Sequence, residues 1–314
     1  MAELRNKVKL ALDEARMLVL GCQVLIGFQF RSFFENRFED LSSSAQQLHF
    51  GSLLLMLVAL LLLVLPAAYH RIVERGEDTW QQHRFTSTVM DFALLPFALA
   101  IGIDVYVAAL DVSTRAIAMV CAIVAAVVTL FFWYGLEWIV RVRGKGGKTM
   151  TENRGAERTP LKNRIDHVLT ECRVVLPGVQ ALLGFQFATT LMESFQQLPD
   201  SSKQLHLISL GCIALSMVLL ITPAAFHRIV EEGEETERFH RFASVMLLAA
   251  LVPLALGVSG ALFVVARKLL DSVPMAAALA GGSVVIFGSL WFGMTLCIRA
   301  TRHGRSLNAA GAAI

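Results

Sequence analysis

The feature that most constrains this chain is a repeat. Residues Pro66–Glu77 read PAAYHRIVERGE, and 157 residues later Pro223–Glu234 read PAAFHRIVEEGE. Ten of the twelve positions are identical; the exceptions are Tyr69/Phe226 and Arg75/Glu232. The same shift, with no gap, aligns Glu14 with Glu171, Gln23 with Gln180, the GFQF of 27–30 with that of 184–187, and His49 with His206. It also aligns the HRF of 83–85 with that of 240–242, and Pro96 with Pro253. A fixed period over such a distance marks a tandem duplication, so the fold has to be one unit built twice.

Each copy is too apolar for a soluble unit. The chain is 55% hydrophobic and 17% charged, with a mean hydropathy of +0.60, against roughly 45–50% apolar and about 25% charged in soluble domains. Four apolar runs fill the first copy, Ala15–Phe34, Phe50–Tyr69, Phe85–Leu110 and Ala116–Val140, and four fill the second, Arg173–Met192, Leu207–Phe226, Phe242–Ala266 and Met275–Ile298. Each reaches the roughly 20 residues that cross a hydrocarbon core of about 30 Å. Barrel strands would be about half as long and alternating, so helices are the expected form. The expected fold is therefore an all-α integral membrane protein of eight transmembrane helices. It divides into a first repeat over 1–140, a Gly-, Lys- and Arg-rich linker over 141–164 and a second repeat over 165–314. The charged start, Met1–Asp13, lacks the pattern of a cleaved signal and is read as part of the mature chain.

The cations set the orientation. Arg5, Lys7 and Lys9 precede the first run, Arg71 and Arg75 follow the second, eight Lys/Arg occupy the linker, and Arg299, Arg302 and Arg305 follow the last. The opposite loops hold Arg37, Arg115, Lys203, Arg267 and Lys268. The positive-inside rule then places the linker and both termini in the cytoplasm of a cell-membrane, multi-pass protein. Four spans per unit give both copies the same orientation, hence a pseudo-two-fold axis along the membrane normal.

The repeated box thereby falls at the cytoplasmic end of the second helix of each unit, where Gly76 and Gly233 are suited to end it. His70, Arg71 and Glu74 share one helical face, as do His227, Arg228 and Glu231. His83 and His240 open the third helices nearby, and Glu14–Arg16 and Glu171–Arg173 open the first. Two readings of this cluster stay open: a structural interfacial network of snorkelling arginines, paired carboxylates and capping histidines, or a gate responsive to protons or anions. Metal or haem ligation by His70 and His83 is a distant third, because no local ligand spacing supports it. No metal site or cofactor is called for. The five cysteines, 22, 121, 172, 212 and 297, show neither zinc spacing nor a disulfide framework.

Inside the apolar runs, Gln23, Gln29, Gln180 and Gln186 have to face other helices, as glue or as lining. Gln23 and Gln29 lie about 240° apart around a helix, so one stripe does not hold both. The copies differ most in buried acids: Asp91 faces Leu248 in the alignment, Asp104 faces Ala261 and Glu137 faces Met294. A carboxylate at depth costs about 2–3 kcal/mol or more and usually faces protein or water. Asp91, about two turns inside Arg84 and followed by the helix-kinking Pro96, marks a candidate pathway with Gln23, Gln29 and Arg84 along a polar cavity open to the cytoplasm.

The pattern E-x-R, V-Q-x-L-x-G-F, a Gln in the outer loop, P-A-A-[YF]-H-R-[IL] and a later H-R-F resembles an uncharacterised domain of short bacterial membrane proteins with four expected helices. The residues that carry the resemblance are Glu14, Arg16, Gln23, Gly27, Gln47, Pro66, His70 and Arg71 with their second-copy partners, and the PAAxHR box is the most specific of them. The resemblance implies two fused copies; it implies no activity, substrate or cofactor. No phosphate-binding loop, HExxH or GxSxG pattern is present, and the reading leans away from an enzyme. The linker lacks interleaved aromatics, so anionic lipid headgroups suit it better than nucleic acid. Two classes remain: a channel or transporter for a small solute or ion, and a non-transporting accessory or scaffold protein that associates with itself or with another membrane protein.

Overall fold

The computed structural model describes residues 18–77, 79–131, 134, 160–229 and 236–302. All regular structure among them is helical. The first repeat contributes α1 (Leu18–Ser32), a short turn of helix α2 (Asn36–Glu39), α3 (Ser43–Ile72), α4 (Trp80–Val112) and α5 (Arg115–Leu130). The second contributes α6 (Leu161–Thr190), the short α7 (Glu193–Gln196), α8 (Asp200–Ile229), α9 (Glu237–Leu270) and α10 (Val273–Gly288), which runs on through a π-helical stretch, Ser289–Met294. Local chemistry sets these ends. The Thr79 hydroxyl accepts from Gln82 N at 3.0 Å, and its counterpart Thr236 accepts from Phe239 N at 3.0 Å, so the third helix of each unit starts on the same N-cap.

Among the described residues, six helices are long and apolar enough to cross a membrane: Ser43–Ile72, Trp80–Leu110, Leu161–Thr190, Asp200–Ala224, Glu237–Leu270 and Val273–Arg302. Leu18–Ser32 and Arg115–Leu130 are apolar but shorter; the first starts next to residues outside the described set, and the second ends one residue before them. The expectation of eight thus meets six of full length. A second difference concerns the linker: α6 begins at Leu161 behind Pro160, so the last residues assigned to the linker are helical. Pro160 is pre-set for a helix start, and Arg164 of its first turns is held by Glu237 and by the carbonyl of Arg75.

A continuous apolar core joins both repeats through Phe33, Leu53, Met56, Leu60, Leu182, Ile213, Leu247, Leu251 and Trp291. Small residues let backbones approach: a Cβ on Gly257 of α9 would lie 2.5 Å from Ile213 and 2.9 Å from the Ser209 carbonyl of α8. Between repeats, Trp291 donates from Nε1 to the Leu61 carbonyl of α3 at 2.9 Å. Lys268 reaches the Phe33 carbonyl at 2.9 Å and Glu39 at 3.0 Å, and Ser194 donates to the Phe34 carbonyl.

Candidate functional site

The repeated box builds one half of a buried polar cluster, and the second repeat supplies the other half. The last turn of α3 presents His70 and Arg71. Residues four apart on α6, His167 and Glu171, lie on one face, and the first turns of α9 present His240 and Ser244 in the same way. His70, Arg71, His167, Glu171 and His240 are all buried.

Glu171 is the centre. Its Oε1 lies 2.5 Å from His70 Nδ1 and accepts from Arg71 Nη2 at 2.9 Å, while its Oε2 accepts from Arg71 Nε at 2.5 Å. This is the two-pronged guanidinium–carboxylate pairing that fixes geometry as well as charge. Arg71 Nη1 faces His240 Nε2 at 3.3 Å and Ser244 Oγ at 3.5 Å. On the other side of the same ring, Arg164 Nη2 lies 3.3 Å from His240 Nδ1. A neutral imidazole offers one lone pair, so only one of these two guanidinium contacts is a hydrogen bond at a time. The His167 ring stands edge-on to His70, 5.7 Å between centres.

Gly76 closes the arrangement. It has φ +84, and a Cβ there would meet His240 Nε2 at 2.9 Å and Arg71 Nη1 at 3.1 Å, so both the left-handed backbone and the space call for glycine. A second pairing lies beside it. Arg302, at the end of the last helix, donates to Glu74 Oε1 at 2.8 Å and to the Tyr69 hydroxyl at 2.5 Å. Burial of an ion costs several kcal/mol unless a partner compensates it, and here Arg71 and Glu171 compensate each other across the two repeats.

The sequence-predicted residues divide sharply. His70, Arg71, Glu171 and His240 come together, but not within one unit as expected. Among the described residues no ion pair joins Arg71 to Glu74; each instead pairs with the other repeat. His83 packs on Trp80 at 5.9 Å rather than on His70. Arg173 is exposed. His227 stacks near Phe239 at 4.7 Å. Glu14, Arg16, Glu231 and Glu137, and the Arg228 side chain, lie outside the described residues.

The four residues of the expected pathway do not share one lining. Gln23 is buried against Gly178, and among the described residues neither amide atom has a hydrogen-bond partner. Gln29 donates to Ser52 Oγ and to Asp104 Oδ2, both at 2.8 Å. Arg84 and Asp91 are exposed on α4, where Asp91 is followed by the 68%-exposed Phe92 and its backbone carbonyl accepts from the Tyr134 hydroxyl. A cleft of about 210 Å³ lies elsewhere, lined by Glu39, Ser194, Arg267, Lys268 and Asp271 among others. Among the described residues no three His, Cys, Asp or Glu side chains are grouped to hold a metal ion.

Arg164, His167, Ser244 and Arg302 take part in or beside the cluster without having been singled out as site residues. Arg164 and Arg302 registered only as cations that set orientation. His167 and Arg302 have Leu10 and Lys145 as repeat counterparts, so a search for repeated histidines and arginines passes over them.

The model of a family of unknown function (DUF6328) matches this chain twice, over residues 4–137 and 155–295. No curated protein and no solved structure matches it. The two matches cover most of both repeats, and the chain belongs to that family.

Proposed function

We propose that this duplicated family member is a non-transporting membrane protein, an accessory or scaffold, whose buried charges fasten its two repeats together. The observation that carries this reading is the Glu171–His70–Arg71 contact: charge contributed by one repeat is neutralised by the other. A polar route needs solvated groups along its wall, and the charged groups at the centre of this cluster, Glu171 and Arg71, are spent on each other and on His70 Nδ1.

In this reading the chain crosses the cell membrane eight times, through the six long helices plus the two containing Leu18–Ser32 and Arg115–Leu130. Repeats over 1–140 and 165–314 flank the basic segment, and both termini lie in the cytoplasm beside anionic headgroups. A pseudo-two-fold is favoured at the first helices of the units, where the repeat counterparts Phe28 and Phe185 meet ring to ring at 4.3 Å, as equivalent residues do at a two-fold axis; the unequal burial of the second and third helices departs from it. Cysteines at Phe28 and Phe185 should therefore cross-link in native membranes.

The experiment that tests the non-transporting reading is reconstitution into liposomes with pH-, potential- and ion-sensitive dyes. No flux is expected. Flux that Asp91→Asn abolishes would overturn the proposal in favour of a channel or transporter using the acid that the second repeat replaces with Leu248.

A further inference from the structure

A second polar constellation lies in the first repeat, far from the junction. Ser32 closes α1, His49 stands six residues into α3, and Asp104 belongs to the later part of α4. Ser32 Oγ is 2.6 Å from His49 Nε2, and His49 Nδ1 is 3.2 Å from Asp104 Oδ1. Gln29 donates to Asp104 Oδ2 at 2.8 Å and to Ser52 Oγ at 2.8 Å, and Ser52 Oγ in turn donates to the Ala100 carbonyl at 3.1 Å. The order hydroxyl, Nε2, Nδ1, carboxylate is the order of an activated serine, which is recognised by geometry and roles rather than by position in the chain. A carboxylate on Nδ1 holds the proton at that nitrogen and leaves the Nε2 lone pair for the Ser32 hydroxyl. The hydroxyl proton has one other acceptor in reach, the Gln29 carbonyl at 2.7 Å.

Three observations bear on what this arrangement does. First, the fold does not require it. The counterparts in the second repeat are Thr189, His206 and Ala261; there Thr189 bonds the Phe185 carbonyl at 2.9 Å and His206 the Gln186 carbonyl at 3.2 Å, so the same helices pack without the acid. Second, it is partly open: the side chains of His49 and Asp104 are 11% and 27% exposed. Third, its depth is defined. His49 and His70 lie on the same helix, and their 21-residue separation amounts to about 31 Å at 1.5 Å per residue. That is close to the thickness of a bilayer's hydrocarbon core, so the two clusters mark opposite boundaries. Phe33 and Phe38 flank the His49 ring, with centres 4.9 and 5.9 Å away, and give the site an apolar wall.

We propose that Ser32, His49 and Asp104 form a serine-nucleophile site that cleaves carboxylic esters with an apolar acyl chain, reached at the membrane boundary opposite the Glu171 cluster. Ser32 Oγ attacks the ester carbonyl carbon while its proton moves to His49 Nε2. The bond from that carbon to the alcohol oxygen breaks, and the alcohol leaves with the His49 proton. Water then attacks the acyl-Ser32 ester, giving one proton to His49, which returns it to Ser32 Oγ as the carboxylic acid departs. The net change is ester plus water to acid plus alcohol. Asp104 and Gln29 act through His49 as positioning residues.

The test uses the full chain in lipid nanodiscs, a fluorescent long-chain fluorophosphonate and a long-chain p-nitrophenyl ester. The expected result is one adduct, mapped by peptide mass spectrometry to Ser32, together with ester turnover. Adduct and turnover should both vanish in Ser32→Ala, and the labelling rate should fall at least tenfold in His49→Gln and Asp104→Asn. Asp104→Glu should recover part of the rate, which a merely structural loss would not do. Folded wild-type protein that forms no adduct at Ser32 overturns the proposal, and so does an adduct whose rate is unchanged in His49→Gln. This site stands apart from the junction, so its failure leaves the reading of the Glu171 cluster untouched.

Discussion

In the first repeat the second helix, α3, is the inner one: two thirds of its apolar window (67%) is buried, against 33% for the third helix, α4. In the second repeat the order is reversed, with 33% for the second helix, α8, and 67% for the third, α9. Counterpart residues share this fate. Trp291 is fully buried against α3, whereas its counterpart Tyr134 is partly exposed. Gln23 is buried and Gln180 exposed. The comparison teaches that one duplicated pattern supports two different placements, because an apolar helix in a bilayer is equally at ease against lipid or against another helix. What chooses between them is the small number of polar and small residues that differ or that find a partner.

The largest test of this comparison concerns Glu171. Glu171→Gln leaves the buried Arg71 uncompensated and should cost about 3–5 kcal/mol, read as a lowered thermal unfolding midpoint in detergent. Next comes a glycine pair. A Cβ on Gly178 would lie 1.6 Å from Gln23 Oε1 and 2.6 Å from its Cβ, while one on Gly21 meets nothing within 4 Å. Gly178→Ala should therefore destabilise by about 1–3 kcal/mol through overpacking. Gly21→Ala should be neutral or stabilise by up to about 1 kcal/mol through helix propensity, and the difference in unfolding midpoint between the two variants is the measurement.

The aromatic counterparts give a smaller effect. Trp291→Phe removes the bond to the Leu61 carbonyl and should cost about 1 kcal/mol, with Tyr134→Phe costing less in the same melting assay.

How much of this was legible in advance differs by level. The ungapped 157-residue shift and the apolar runs announced a duplicated helical membrane protein, because crossing a bilayer demands long apolar helices and little else, and that demand is written residue by residue. The duplicated pattern picked out His70, Arg71, Glu171 and His240 as polar groups of two separate units, and the fold brings them into one cluster, since charge in an apolar setting has to be gathered. The pairing was not legible: spacing along α3 favoured Arg71 with Glu74, and the folded chain gives Arg71 to Glu171 and Glu74 to Arg302. Nor did periodicity show that Asp104 and Gln29 would meet His49, since those residues lie on three different helices. Sequence by itself determined the helices, their duplication and the residues that could not face lipid unpaired. Tertiary structure decided which of those residues satisfy one another, because a partner for a buried charge is chosen by where helices cross, and nothing in a period along one helix encodes that crossing.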